Sequence, residues 1–245
     1  MEPLFRTIEI TAAMAARVVG TTLTYQGLDN IPTHGGAVIA INHTSYLDFL
    51  PAGLATRRRR RRIRYMLKAE MQDVRLVDYL IRHAGAIPVD RSAGAGAYAE
   101  AVRKLRAGEL VGVYPEATIS RSFELKEFKT GAARMALEAP APIIPLIVWG
   151  AHRMWTKDRP KSLGRNKIPI TVRAGQSLSP TGTPTELDAR LREEMTRLLH
   201  EVQEEYPHPL GAYWVPRRLG GGAPTPAEAR RLEEAERARR AAERH

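Results

Sequence analysis

The chain contains no cysteine. That one absence removes disulfides, thiolate metal sites and a cysteine nucleophile, and it fits a cytosolic setting. No apolar run approaches the roughly 18 residues that a membrane-crossing helix needs. The opening Met1-Glu2-Pro3-Leu4 lacks the basic region, apolar core and cleavage site of a secretory signal. Reaction signatures are missing too. There is no Gly-x-Ser-x-Gly elbow for a hydrolase serine. There is no Gly-x-x-x-x-Gly-Lys-Ser/Thr phosphate loop, and no dinucleotide fingerprint at a strand–helix turn. The histidines show no metal-ligand spacing, and His208, in Pro207-His208-Pro209, belongs to a turn.

What is present suits a core-forming enzyme-sized chain. It has 245 residues, 43% of them hydrophobic, which predicts one α/β-sized domain. The formal net charge of +11 favours an anionic partner. Nucleic acid, a phospholipid surface and a phosphorylated metabolite all satisfy that charge, and charge alone does not choose among them.

Residues 4–23 space Leu4, Phe5, Ile8, Ala12, Ala15, Val18, Val19 and Leu23 along one helical face. Such a stripe either packs on the core or lies in a membrane interface. Apolar runs predict strands at 37–41, 64–67, 85–89, 110–114, 143–148 and 168–173, alternating with helices at 46–56, 74–83, 97–107, 131–138 and 186–204. The expected fold is therefore α/β: a single domain with an open, mostly parallel or mixed sheet and helices on both faces. Residues 1–30 read as an amphipathic membrane-associating segment, 31–216 as the catalytic domain, and 217–245 as a polar tail, helical or disordered, with no core of its own. The arginine-rich stretch at 57–64 has three readings: a solvated patch, a nucleic-acid tract, or a contact with anionic headgroups. Only Tyr65 is near for base stacking, so the lipid reading is preferred.

In an open α/β sheet, functional polar groups gather past the carboxyl ends of strands. His43, Asp48, Arg91, Glu116, Thr118 and Ser120 all fall there. If His43 ends a strand and Asp48 opens the next helix, the turn can bring the carboxylate onto the ring. It would fix one tautomer and leave the other nitrogen as a proton acceptor. Each residue also has a structural reading: Asp48 as a helix cap, Arg91 in a surface ion pair, Glu116 as a solvated loop residue.

Four stretches, Asn42-His43-x-x-x-x-Asp48, Gly85-Ala86-Ile87-Pro88-Val89-Asp90-Arg91, Tyr114-Pro115-Glu116-Ala117-Thr118 and Ile144-Pro145-Leu146, occur in this order. Together they resemble the ordered blocks of the glycerolipid acyltransferase family, whose best-known members are the 1-acylglycerol-3-phosphate (lysophosphatidate) acyltransferases. The resemblance implies that His43, held by Asp48, takes the proton of an acceptor hydroxyl as it attacks an acyl thioester, with no acyl-enzyme. It also implies that Arg91 holds the acceptor phosphate, and that Glu116 and Thr118 shape the glycerol-phosphate pocket. Lys68 is similar to a lysine that follows the first block in bacterial relatives and is a second phosphate candidate. The family's third block usually reads Phe-Pro-Glu-Gly-Thr-Arg-Ser; here Tyr114, Ala117 and Ile119 replace Phe, Gly and Arg. Arg121 or Lys129 would then supply the missing charge.

The activity implied is transfer of a fatty acyl group from acyl-CoA or acyl-carrier protein to lysophosphatidate, giving phosphatidate in phospholipid biosynthesis. No cofactor, metal or nucleic acid is expected, and the protein would sit peripherally or monotopically on the cytoplasmic face of the membrane. Two alternatives remain: the same chemistry on another lysophospholipid or a glycolipid, and a non-catalytic lipid-surface binding protein.

Overall fold

Ala37–Ile41 forms the second strand, β2, and its five residues are fully buried. A strand covered on both faces reads as an unbroken apolar run, which is how it stands in the sequence. The computed structural model describes residues 20–68, 85–89 and 94–242. Besides β2 its strands are β1 (Leu23–Gln26), β3 (Ile63–Lys68), β4 (Ile87–Val89), β5 (Leu110–Val113), β6 (Ile143–Trp149) and β7 (Ile170–Ala174). They form one sheet in the order β1-β7-β6-β2-β5-β3-β4. The run from β6 to β4 is parallel, β7 is antiparallel to β6, and β1 is parallel to β7. This is the expected mostly parallel, mixed α/β sheet.

Alternation along the strands divides the core in two. Val38, Ala40, Val111, Val113, Ile147 and Trp149 face one side, with the helices α2 (Gly94–Arg106), α3 (Gly131–Glu138) and α4 (Pro184–Glu205). Ala37, Ile39, Ile41, Leu110, Leu146 and Val148 face the other, with Ala52 and Ala55 of α1 (Phe49–Arg58). The helix α4 has the strongest local signals. Thr183 and Glu186 form a reciprocal capping box, Pro184 occupies the first turn, and Leu187, Leu191, Met195, Leu198 and Val202 make the buried stripe.

Two expectations are corrected. Leu23, placed in the N-terminal helical stripe, starts β1 and pairs with Ile170; residues 4–19 of that stripe lie outside the described residues. The four residues of β1 are too few, and too evenly half-buried, to show an alternating pattern. The expected helix at 46–56 begins at Phe49, because the preceding turn consumes residues 44–48. The helix expected at 74–83 lies outside the described residues.

The arginine stretch lies at the amino ends of the strands. Arg61 donates to the carbonyls of Pro32, Gly35 and Gly108, just ahead of β2 and β5. Arg59 pairs with Asp29, Arg64 with Glu109, and the Arg58 guanidinium lies 4.5 Å from the Tyr25 ring centroid. These four arginines have partners within the protein, and β2, roughly 16 Å long at a strand's rise, separates them from His43. They fasten the amino-end pole of the sheet, opposite the catalytic turn.

Candidate active site

The β2 ladder does not stop at Ile41. The Asn42 side chain continues it, accepting from Val148 N–H at 2.7 Å and donating to Val148 C=O at 3.1 Å. A side chain here takes the place of a backbone pair, so the main chain is free to turn. His43 then leaves the strand, and Asp48 stands at the N-cap position of α1. Asp48 does not cap that helix through its side chain. Its Oδ2 turns back and accepts from the N–H groups of Thr44 at 2.9 Å and Ser45 at 2.7 Å, and lies 3.3 Å from His43 Nδ1. One carboxylate oxygen thus closes the turn and orients the ring. With Nδ1 donating to Asp48, Nε2 is left as the proton acceptor.

Burial raises the Asp48 carboxyl above its ordinary value, opposed first by His43 and then by the Ser45 and Thr44 N–H groups. The imidazole lies against the Tyr114 ring, with centroids 4.1 Å apart and planes 25° apart. Tyrosine for phenylalanine therefore keeps the stacking face. The segment after β6 clamps the turn from its other side: Ser45 Oγ and Tyr46 N–H both reach Trp155 C=O, and Thr156 Oγ1 reaches Thr44 C=O.

The third stretch follows β5, the neighbour of β2. Glu116 is only 4% exposed. Its Oε1 accepts from His43 N–H at 2.8 Å and its Oε2 from Lys126 N–H at 3.1 Å. Burial pushes this carboxyl up to about 8, against the pull of the two N–H groups. With both oxygens so engaged, Glu116 ties the backbone of the catalytic turn to the following loop. Ser120 does similar work: its N–H donates to His43 C=O, and its hydroxyl meets Ser122 and Glu124. Thr118 Oγ1 accepts from Lys126 Nζ.

Ala117 is exposed and adopts φ +57°, where glycine is unstrained and alanine costs about 1 kcal/mol. Ile119 is 3% exposed, so the position that carries arginine in the family block belongs to the core here. Arg121 is buried and bound to Asp158 and Glu236, whereas Lys129 is exposed, with its N–H on Pro115 C=O. Lys68 ends β3, at the same edge of the sheet as His43. Arg91 lies outside the described residues.

A family model described as Acyltransferase matches residues 22–149. The chain belongs to the acyltransferase family. Several relatives bear the name 1-acyl-sn-glycerol-3-phosphate acyltransferase. The one from Bacillus subtilis is 30% identical over 123 residues, which cover 50% of this chain and 60% of the relative. The one from Cocos nucifera is 28% identical over 171 residues, covering 67% of this chain and 52% of the relative. This acyltransferase-family chain thus spans about half to three-fifths of the length of these relatives. Among solved structures, the 1-acyl-sn-glycerophosphate (LPA) acyltransferase PlsC from Thermotoga maritima superposes with a TM-score of 0.69 at 21% identity, covering 83% of this chain and 81% of that one. At that identity the likeness shows the shared fold.

Sequence reasoning brought His43, Asp48, Glu116 and Thr118 to one edge, and there they meet. It missed Lys126, Lys157, Asp158 and the pair Glu233 and Glu236, which complete the ring of charge around Arg121. The spacing of Glu233 and Glu236, three apart in a tail helix, was the one available signal.

Proposed function

We propose that the chain moves a fatty acyl group from acyl-CoA or acyl-carrier protein to the free hydroxyl of lysophosphatidate, giving phosphatidate. The observation that carries this reading is the His43 Nδ1 to Asp48 Oδ2 contact at a buried carboxylate. His43 Nε2 takes the acceptor's hydroxyl proton as that oxygen attacks the thioester carbonyl. Collapse of the tetrahedral adduct forms the ester and breaks the carbon–sulfur bond, and the departing thiolate takes the proton back from the imidazolium. Asp48 supports the transient positive ring. Nothing beyond the acyl thioester is needed as an activated group.

The direct test is thiol release from an acyl thioester with and without lysophosphatidate. Release that requires the acceptor is expected; equal release without it would refute the reading. The buried Ile119 in the third block supports a second reading, in which a different lysophospholipid or a glycolipid receives the acyl group. Release stimulated by such an acceptor and not by lysophosphatidate selects that alternative.

We also propose peripheral or monotopic association with the cytoplasmic face of an anionic membrane. The net charge of +11 and the apolar spacing of Leu4, Phe5, Ile8, Ala12, Ala15, Val18 and Val19 support it. No described helix is long and apolar enough to cross a membrane. The protein should float with anionic liposomes at low salt and lose that association as salt rises. Absence of co-flotation at low salt would rule it out.

A further inference from the structure

The last described helix, α5 (Pro226–Ala242), is seated without an apolar face. Its one buried residue is Ala229, and its one large apolar side chain, Leu232, stands 47% exposed. From residue 230 to 242 only Glu233 and Glu236 are sheltered. Spaced three apart, they share a side of the helix with Ala229. A surface helix ordinarily docks by a hydrophobic stripe. This one docks by two carboxylates.

Their partners are cations from two loops beside the catalytic turn. Lys126 Nζ donates to both Glu233 oxygens at 2.6 Å. Glu236 Oε2 accepts from Arg121 Nη2 at 2.8 Å and from Lys157 Nζ at 3.2 Å. Arg121 also reaches Asp158 through Nε, yet its buried Nη1 has no hydrogen-bond partner. Arg121 is 8% exposed, so that orphan donor is a cost unless something meets it. These loops are bound directly to the site. Ser120, beside Arg121, donates to His43 C=O; Lys126 N–H binds Glu116; and Thr156, beside Lys157, binds Thr44 C=O.

Two carboxylates carry the charge of one phosphate monoester dianion. Its three terminal oxygens sit on one centre, so a single ligand can face both lysines and the paired and orphan nitrogens of Arg121. Arg121 is buried, but the side chains of Lys126, Lys157, Glu233 and Glu236 are 15–20% exposed and remain open to ionic competition. We propose that Arg121, Lys126 and Lys157 form a phosphate-monoester site, and that α5 is a built-in acidic competitor whose Glu233 and Glu236 are displaced when the ligand binds. The identification of the ligand as the acceptor's headgroup rests on the reading of the chain as a lysophosphatidate acyltransferase; the competition itself does not. On this account the helix keeps the cations neutralised until a phosphate arrives, and favours acceptors that carry one.

The test uses the full chain with no acyl donor. Hydrogen exchange of the α5 amides is followed in chloride, inorganic phosphate and glycerol 3-phosphate at matched ionic strength, and binding of glycerol 3-phosphate is measured by calorimetry. Phosphate ligands should speed α5 exchange at least tenfold. The variant Glu233→Gln/Glu236→Gln should exchange fast without ligand and bind glycerol 3-phosphate about tenfold more tightly, whereas Glu234→Gln, an exposed change on the same helix, should match the parent. Displacement by the monoester alone supports the site with a headgroup as its ligand. Displacement by inorganic phosphate as well supports it with free phosphate as a ligand. Unchanged exchange with both, or no gain in affinity in the double variant, overturns the proposal. Thiol release plays no part in these measurements, so failure of the latch and failure of the acyl-transfer reading are seen separately.

Discussion

The variants His43→Ala and His43→Gln should lose acyl transfer by about 10²–10⁴-fold, the range for removal of a positioned general base. The protein should remain folded. The imidazole rests on Tyr114 and touches one carboxylate oxygen, while the turn around it is closed by backbone N–H groups. Asp48→Asn is a more complex change. It weakens the hold on Nδ1 and also alters the oxygen that takes the Thr44 and Ser45 N–H groups, so a loss of activity should come with a loss of stability. The informative comparison is the double variant. If His43 and Asp48 work as one unit, His43→Ala/Asp48→Asn should be no slower than His43→Ala alone. Initial rates of acceptor-dependent thiol release provide the comparison. Full activity in His43→Ala would remove His43 from the chemistry, and a double variant slowed by the product of the two single effects would show that the residues act independently.

What could be read in advance divides along a physical line. Features written in adjacent residues were legible: the apolar run of β2, the amphipathic helix that became α4, and the placement of His43 and Asp48 on either side of a turn. Features that depend on what a residue meets far along the chain were not. Arg121 and Glu236 are 115 residues apart, Lys126 and Glu233 are 107 apart, and nothing local announces either pairing. Glu116 shows the same limit differently. Its position after β5 was readable. That its two oxygens would hold the backbones of His43 and Lys126 required β2 and β5 to be neighbours in the sheet. The inward contacts of the arginine run were hidden for a related reason. A charge run looks like a surface feature until the carbonyls that Arg61 collects, from Pro32 to Gly108, are brought within reach.

The same edge of the sheet contains a group whose titration should be visible in the stability of the whole molecule. Gly150, at φ +104°, turns the chain out of β6, where an added Cβ would meet Pro169 C=O at 2.2 Å. This turn drives His152 into an aromatic pocket. Its ring centroid lies 4.3 Å from Trp149, 4.8 Å from Phe123 and 5.8 Å from Trp214. Neither ring nitrogen has a partner, and the residue is 1% exposed. Burial, with a smaller contribution from the Arg153 charge, lowers its pKa to about 3 from the ordinary 6.5. The folded state therefore keeps His152 neutral, while the unfolded chain takes up a proton below about pH 6.5. The unfolded state binds more protons throughout that window, so stability is full above it and drains as pH falls toward 3. At 1.36 kcal/mol per pH unit, the loss from this one group is about 2 kcal/mol at pH 5 and about 3 kcal/mol at pH 4, relative to pH 8. Replacing His152 with phenylalanine or leucine removes the titration and both unpartnered nitrogens. Urea unfolding at pH 8, 5 and 4 should show the parent losing stability relative to either variant by these amounts as the medium is acidified. Comparing parent with variant cancels the other titrating groups, including Glu116 and Asp48, whose raised values act in the opposite direction. If the parent and both variants lose stability equally between pH 8 and pH 4, His152 is already paired or hydrated in the folded protein, and the aromatic pocket is not the dry enclosure described.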